Sequence, residues 1–362
     1  MSDQLRAQVE EAIKGYQDPY LNCDLFAANG VKSIDINDGQ VKVELFLEYP
    51  SDHLKTGICQ MLQFSIENIE GVTSAEVNLS WAVSSHKAHE NLPNIANVKN
   101  IIAVASGKGG VGKSTTSVNL ALSLAADGAR VGLLDADIYG PSVGMMLGVS
   151  EGTRPDTEQE KFFKPVMAHG IQSMSMAYLI TDNTPMVWRG PMVSGALQQL
   201  ITQTLWDDLD YLIIDMPPGT GDIQLTLSQK IPVSGSVVVT TPQDVALLDA
   251  KKGIEMFRKV NIPVLGVIEN MSIHICSNCA HVEHIFGEGG AHKIAKEFNT
   301  RALGSLPLSK YVCEQSDSGL PVVVDDPECD VSLMYRNTAR NLAAALSLQK
   351  SDAVPDIQIS ED

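Results

Sequence analysis

Three groups of residues in this 362-residue sequence have the types and spacing that chemistry needs. SGKGGVGKSTT, residues 106–116, fits the pattern G-x-x-x-x-G-K-[ST] from Gly107 to Ser114. Glycines there let backbone N–H groups turn inward around phosphate, with a helix N-terminus behind them. The expected contacts are Gly107, Lys108, Gly109, Gly110, Val111, Gly112, Lys113, Ser114 and Thr115, with Lys113 reaching the terminal phosphates and Ser114 ligating Mg²⁺. The second group is acidic: LLDADIYGPS carries Asp135 and Asp137, and LIIDMPPGTGD carries Asp215. The third is HICSNCAHVEHIFG, residues 274–287, where Cys276 and Cys279 stand in C-x-x-C spacing among His274, His281, His284 and, further on, His292.

These groups need elements to hold them. From Lys99 the chain alternates short apolar runs with helical segments: NIIAVAS, RVGLLDAD, DYLIIDMP, GSVVVTTP and PVLGVIEN read as parallel strands buried on both faces. Helices are expected between them, over 113–126 and 245–260 for example, which gives an α/β fold with a mostly parallel sheet. Ligands of such sheets bind beyond the carboxyl ends of the strands, where the glycine loop and all three acids fall. Asp135 and Asp215 are then Mg²⁺ groups, and Asp137 positions water. Residues 1–83 read as a separate small α-β-β-α-β unit, with helices over 4–15 and 53–69 and a hairpin turn at Asp38-Gly39. SSHKAHENLPNIANV, residues 84–98, reads as a linker, 99–349 as the phosphate-binding domain, and 350–362 as an acidic tail.

The thiol pair admits several readings. Zinc would need His281 and His284, and C-x2-C-x-H-x2-H is far tighter than a zinc-finger arm. A redox dithiol wants a helix N-terminus directly after a strand. Two copies meeting about a two-fold axis would pool four thiolates, the ligand set of a [4Fe–4S] cluster, and inert thiols are the remaining reading. The isolated Cys23, Cys59, Cys313 and Cys329 read as small apolar residues.

Net charge is −18 without any Lys/Arg run, which disfavours nucleic acid and anionic membrane as partners. The first residues, MSDQLRAQVEEAIKGY, form an amphipathic pattern without the apolar core of a signal peptide, so a cytoplasmic location is expected.

Lys108 ahead of Lys113, together with DADIYGPS and DMPPGTGD, resembles the deviant Walker A ATPases, whose relatives include MinD-like and ParA-like proteins. Within that superfamily the order of GKGGVGKST, LDADIYGPS, MVWRGPM, DMPPGTGDIQLTLSQ, TTPQDVALLDAKKG, ENMS and CSNCAHVEHIFGEGG resembles the Mrp/ApbC-type iron–sulfur cluster carriers over nearly the whole chain. The resemblance implies a slow ATPase that binds Mg²⁺ and ATP, with Lys108, Lys113, Asp137 and Asp215 in catalysis and Asn270 on the adenine edge. It also implies a homodimer bridged by a [4Fe–4S] cluster on Cys276 and Cys279, with cluster assembly scaffold proteins and recipient apoproteins as partners. Trp188 and Arg189 of MVWRGPM suit a dimer face or the core equally, and Asp18-Pro19 with Cys23 matches a loop of the N-terminal module. The alternatives are a partition or positioning ATPase, a nitrogenase-like reductase and a nucleotide-regulated zinc scaffold.

Overall fold

Strands 131–135, 209–215 and 235–240 expose no residue at all, which is what near-continuous apolar runs require of a sheet covered on both faces. The computed structural model describes residues 2–86, 92–159, 161–179, 190–276, 278–279 and 281–349. Trp188, Arg189 and the acidic segment 350–362 lie outside the described residues.

Among the described residues the main sheet has nine strands. Its order runs Val166–Ala168, Ile171–Ser175, Val131–Asp135, Leu209–Asp215, Val98–Ser106, Gly235–Thr240, then Val264–Ile275. The last of these pairs with both Ala302–Pro307 and Val282–Glu283. Pairing is parallel except at Val166–Ala168 and Val282–Glu283. Helices Lys113–Ala126 and Asp330–Ser347 pack together on one face. Gly190–Gln203, Asp222–Lys230, Asp244–Lys259 and Gly290–Glu297 contribute to the core of the other. No helix among the described residues is long and apolar enough to cross a membrane.

The five strands read from the sequence are all present, and the helices expected over 113–126 and 245–260 form at Lys113–Ala126 and Asp244–Lys259. One strand is longer than expected. The run ending at Asn270 continues to Ile275, because Ile273 still pairs with Pro307 and Ile275 with Val282. Strands 166–168, 171–175 and 302–307 were not anticipated; the first is only three residues long, and Ser in the second and Gly, Ser and Pro in the third dilute the apolar pattern.

The N-terminal unit starts with helix Ser2–Lys14 and adds a three-stranded sheet. Val31–Asn37 and Gln40–Leu47 are antiparallel, closed by Asp38 and Gly39 at φ 48° and 81°, the positive values a two-residue hairpin turn demands. Gln40–Leu47 then pairs in parallel with Ser74–Trp81, the crossover being helix Asp52–Glu67. Ile58, Leu62 and Ile66 of that helix are buried, whereas Met61, expected on the same stripe, faces solvent.

This unit is joined to the larger one by a polar seam. Asp127, at the C-cap of the helix opened by the glycine loop, accepts hydrogen bonds from Arg336 at 2.9 Å and Arg340 at 2.7 and 2.9 Å. His53 Nδ1 lies 3.8 Å from the same carboxylate, and Tyr20 packs edge-on against the His53 ring. Arg301 donates to the carbonyls of Tyr20 and Leu21. Burial would raise the Asp127 carboxyl, but the hydrogen bonds and charge of Arg340, with Arg336, outweigh it and hold it below its ordinary value. Deleting that carboxylate would strand two guanidinium groups, at a cost of ~3–5 kcal/mol. The start of the 84–98 segment is also fastened down. His86 N–H donates to Asn100 Oδ1, and Asn100 Nδ2 donates to the Ser84 carbonyl. Asp18 is fully buried, accepting from Tyr49 Oη and from the backbone of Tyr20 and Leu21.

Burial pushes the His53 imidazole down from 6.5 to about 4; Asp127 and Asp18 oppose the shift, and Arg340 and Arg336 reinforce it. Between those two values the unfolded chain binds a proton that the folded one does not, so stability falls as pH is lowered through that window. Urea unfolding from pH 7 to 4 should show this loss, with a shallower slope for His53→Gln. Equal slopes for the two proteins would show that His53 does not titrate in this way.

Candidate functional site

Parallel pairing of Leu209–Asp215 with Val98–Ser106 sets Asp215 beside Val104, so the acid and the glycine loop leave the sheet at one edge. The turn after Asp215 is stitched to the same strand: Met216 N–H donates to the Val104 carbonyl and Gly219 N–H to that of Ser106. Gln224 holds the Pro217 carbonyl from the following helix. Gly107 lies so close to the Asp249 backbone that a Cβ would collide with it.

At this edge a buried polar knot forms. Lys113 Nζ lies 2.7 Å from Asp215 Oδ2, and Ser114 Oγ donates to the same oxygen at 2.6 Å. The other carboxylate oxygen accepts from Ser117 Oγ at 2.6 Å. Asp215 is wholly buried, so an ionised carboxylate survives there only because a cation and two hydroxyls surround it. Ser117 was not singled out from the sequence. Its position one helical turn after Lys113 is the signal that could have found it, since it places the hydroxyl on the same helix face.

Asp135 behaves differently. Its Oδ2 accepts from the backbone N–H groups of Ser142 and Val143 and from Ser175 Oγ, and its Oδ1 from the Asp137 N–H. Burial, then the charge of Asp215, push the Asp135 carboxyl above the usual carboxylate range. Of the two acids expected at Mg²⁺, Asp215 pairs with Lys113 and Asp135 organises the 137–143 loop. Asp137 lines a cavity of about 220 Å³ with Gly110, Lys113, Ser114, Thr115 and Pro218. Lys108 is half-buried at the rim of the loop, its carbonyl accepting from Ser106 Oγ. Asn270 is not at the cavity wall; its Nδ2 donates to the Val111 carbonyl at 2.8 Å.

The thiols sit at the tip of a hairpin. Ile275 pairs with Val282, and Cys276 N–H donates to the His281 carbonyl, so C-x-x-C occupies the turn. Cys276 is half-buried and Cys279 exposed. The Asn278 N–H, then the Cys279 N–H and thiol, hold the Cys276 thiol below its ordinary value, favouring the thiolate that metals bind. The histidines turn elsewhere. His274 Nδ1 meets the Leu308 carbonyl, His284 lies between the Ser272 carbonyl and Glu288, and His281 is nearest Glu283. Among the described residues no three His, Cys, Asp or Glu side chains are grouped to hold a metal ion. One chain thus offers two thiols, rimmed by exposed Ile275, Val282 and Ile285.

Residues 97–343 match the family described as NUBPL iron-transfer P-loop NTPase, and residues 6–79 the family described as iron-sulfur cluster assembly protein. An iron-sulfur cluster carrier protein of Pseudomonas fragi is 65% identical over 279 residues, 77% of this chain and 97% of that protein. One from Escherichia coli K12 is 50% identical over 345 residues, 95% of this chain and 93% of that protein. Among solved structures, a nucleotide-binding protein of Archaeoglobus fulgidus in complex with ADP aligns with a TM-score of 0.57 at 35% identity, covering 66% of this chain and 92% of that one.

The Asp215 knot yields a test. Ser117→Ala frees one carboxylate oxygen and lets the group rotate away from the cavity. The Mg²⁺ concentration that half-saturates ATP binding should rise about tenfold, the worth of one charge-assisted hydrogen bond of ~1.5 kcal/mol. ATP binding in EDTA should be unchanged, and Ser117→Thr should restore the Mg²⁺ response. An unaltered Mg²⁺ dependence would leave Ser117 a packing residue.

Proposed function

The chain belongs to the NUBPL iron-transfer P-loop NTPase family, whose members include the iron–sulfur cluster carriers, and we propose that it is itself an ATP-hydrolysing carrier that holds a [4Fe–4S] cluster between two copies of itself. The observation that carries this reading is the pair of thiols at an exposed hairpin tip, with no third donor grouped beside them among the described residues. A [4Fe–4S] cluster takes four terminal thiolates, one per iron; one chain offers two here, and a second copy supplies the other two with the same chemistry. The apolar rim of Ile275, Val282 and Ile285 favours such a contact, since a face of this kind is stable when covered. Zinc on Cys276, Cys279, His281 and His284 is disfavoured because both imidazoles are directed to other partners.

Hydrolysis is assigned to the sheet edge. Lys113, held on Asp215 here, is placed to take the terminal phosphates of ATP, and Ser114 and Asp215 would hold the accompanying Mg²⁺, which would offset phosphate charge. Asp137, on the cavity wall, orients the attacking water. Lys108 stands at the rim, where it reaches the nucleotide of the facing copy and steadies charge on the transferring phosphoryl group. Recipient apoproteins and a cluster-donating scaffold are the partners of this reading, and the cytoplasm its location. An exposed two-thiol ligand set per chain holds its cargo loosely, as delivery requires.

Anaerobic reconstitution with iron and sulfide tests the assignment. Cys276→Ser and Cys279→Ser should each lose bound iron and sulfide while keeping hydrolysis within about threefold of wild type. Lys113→Ala should load a cluster, hydrolyse ATP at least a hundredfold more slowly, a loss of ~2.7 kcal/mol of transition-state stabilisation, and fail to mature an iron–sulfur enzyme. Iron retained by both serine variants would place the cargo elsewhere. Full delivery by Lys113→Ala would reduce the protein to a passive holder.

A further inference from the structure

Asn270 and the thiols belong to one strand, Val264–Ile275 and the turn beyond it. That strand pairs with Ala302–Pro307 with a first shift between Val267↔Ala302 and Ile268↔Gly304, runs on to Glu269↔Ser305, and next pairs at Ile273↔Pro307. Four steps on one strand thus face two on the other, so the residues between form a bulge. Met271, inside it, has φ 56°, a left-handed conformation that an unbranched but bulky side chain adopts only under constraint.

The bulge has a consequence for Asn270. It turns the side chain beneath the glycine loop, where Nδ2 donates to the Val111 carbonyl at 2.8 Å and both residues are buried. A Cβ on Gly112, itself at φ 78°, would collide with that same amide nitrogen. From Ser272 on the strand is held again: Ser272 Oγ donates to the Leu306 carbonyl, Leu308 N–H to that of Ile273, and Ile275 pairs with Val282. Five residues, Met271 to Ile275, separate the loop contact from Cys276.

We propose that Asn270 is a positioning residue for the phosphate loop, and that its bond to Val111, passed through the bulge at Met271, links the state of the loop to the placement of Cys276. The proposal rests on the reading that this loop binds ATP, but it needs no cluster. Asn270 thereby differs from a reader of the adenine edge: one of its N–H groups is committed to the loop backbone, and that contribution is felt by the phosphates whatever base they carry.

Two measurements separate the roles. Binding of Mg²⁺–tripolyphosphate, which has no base, should weaken about fivefold in Asn270→Asp, the equivalent of ~1 kcal/mol for one lost hydrogen bond, and Mg²⁺–ATP binding should weaken by the same factor. A base reader would lose affinity for ATP and keep it for tripolyphosphate. The second measurement is the rate of Cys276 alkylation by iodoacetamide, mapped by mass spectrometry on cluster-free protein with and without Mg²⁺–ATP. Wild type should change its rate at least threefold on binding, and Asn270→Asp at saturating ATP should not. Met271→Gly, which accepts φ 56° without strain, should bind ATP as wild type does yet lose the Cys276 response; it stands in should the Asn270 variant misfold. A wild-type protein that binds ATP and carries a cluster but shows no Cys276 response would overturn the linkage alone, as would a full response in either variant. Failure of wild type to bind ATP or tripolyphosphate would remove the function proposed above as well.

Discussion

A buried carboxylate surrounded by Lys113, Ser114 and Ser117 is the constraint on which the rest of the site depends. An anion at Asp215 with no access to solvent has to be matched, and every match comes from one helix that begins at the glycine loop. That requirement fixes how the helix sits on the sheet and how the strands at 98–106 and 209–215 are aligned. It also divides the acids. Burial, then the charge of nearby Asp215, raise the Asp135 carboxyl, and Asp135 serves as a scaffold for the loop that carries Asp137.

The same helix leads away from the site to the N-terminal unit. Its far end is Asp127, gripped by Arg336 and Arg340 and flanked by His53. A second line runs along the strand from Asn270 to Cys276. One loop is thus attached to two distant places by single rigid elements, and buried hydrogen bonds hold both attachments. The thiols at the hairpin tip are by contrast half-buried at Cys276 and exposed at Cys279, which suits a part that must meet another molecule.

Much of this was legible in the residues. Gly107 to Thr115 announced the loop because phosphate binding needs glycine where backbone N–H groups converge, and Asp215 announced itself by ending an apolar strand. The Asp38-Gly39 turn was legible because few other residues accept two positive φ values. Ser117 was passed over, since its one sign is its place a helical turn after Lys113 and the carboxylate it meets lies 98 residues later. Asn270 was expected on the adenine edge and its bond to the Val111 carbonyl was not legible, because the bulge beside it depends on how Ala302–Pro307 registers alongside. Strand 302–307 was itself hidden by ALGSLP, whose Gly, Ser and Pro dilute the apolar pattern. The C-x-x-C spacing could not show that His281 and His284 have Glu283, Glu288 and the Ser272 carbonyl as neighbours, because those contacts depend on how the hairpin closes.

The central claim is that two copies of this chain share one cluster through Cys276 and Cys279. Native mass spectrometry of the reconstituted, anaerobic protein measures it directly, because chain count and cluster mass are read from one ion. The account predicts a species of two chains with a single [4Fe–4S] cluster, which separates into bare monomers when the cluster is removed by a chelator. A single chain carrying a complete cluster, or a dimer with one zinc ion per chain and no iron, would contradict it.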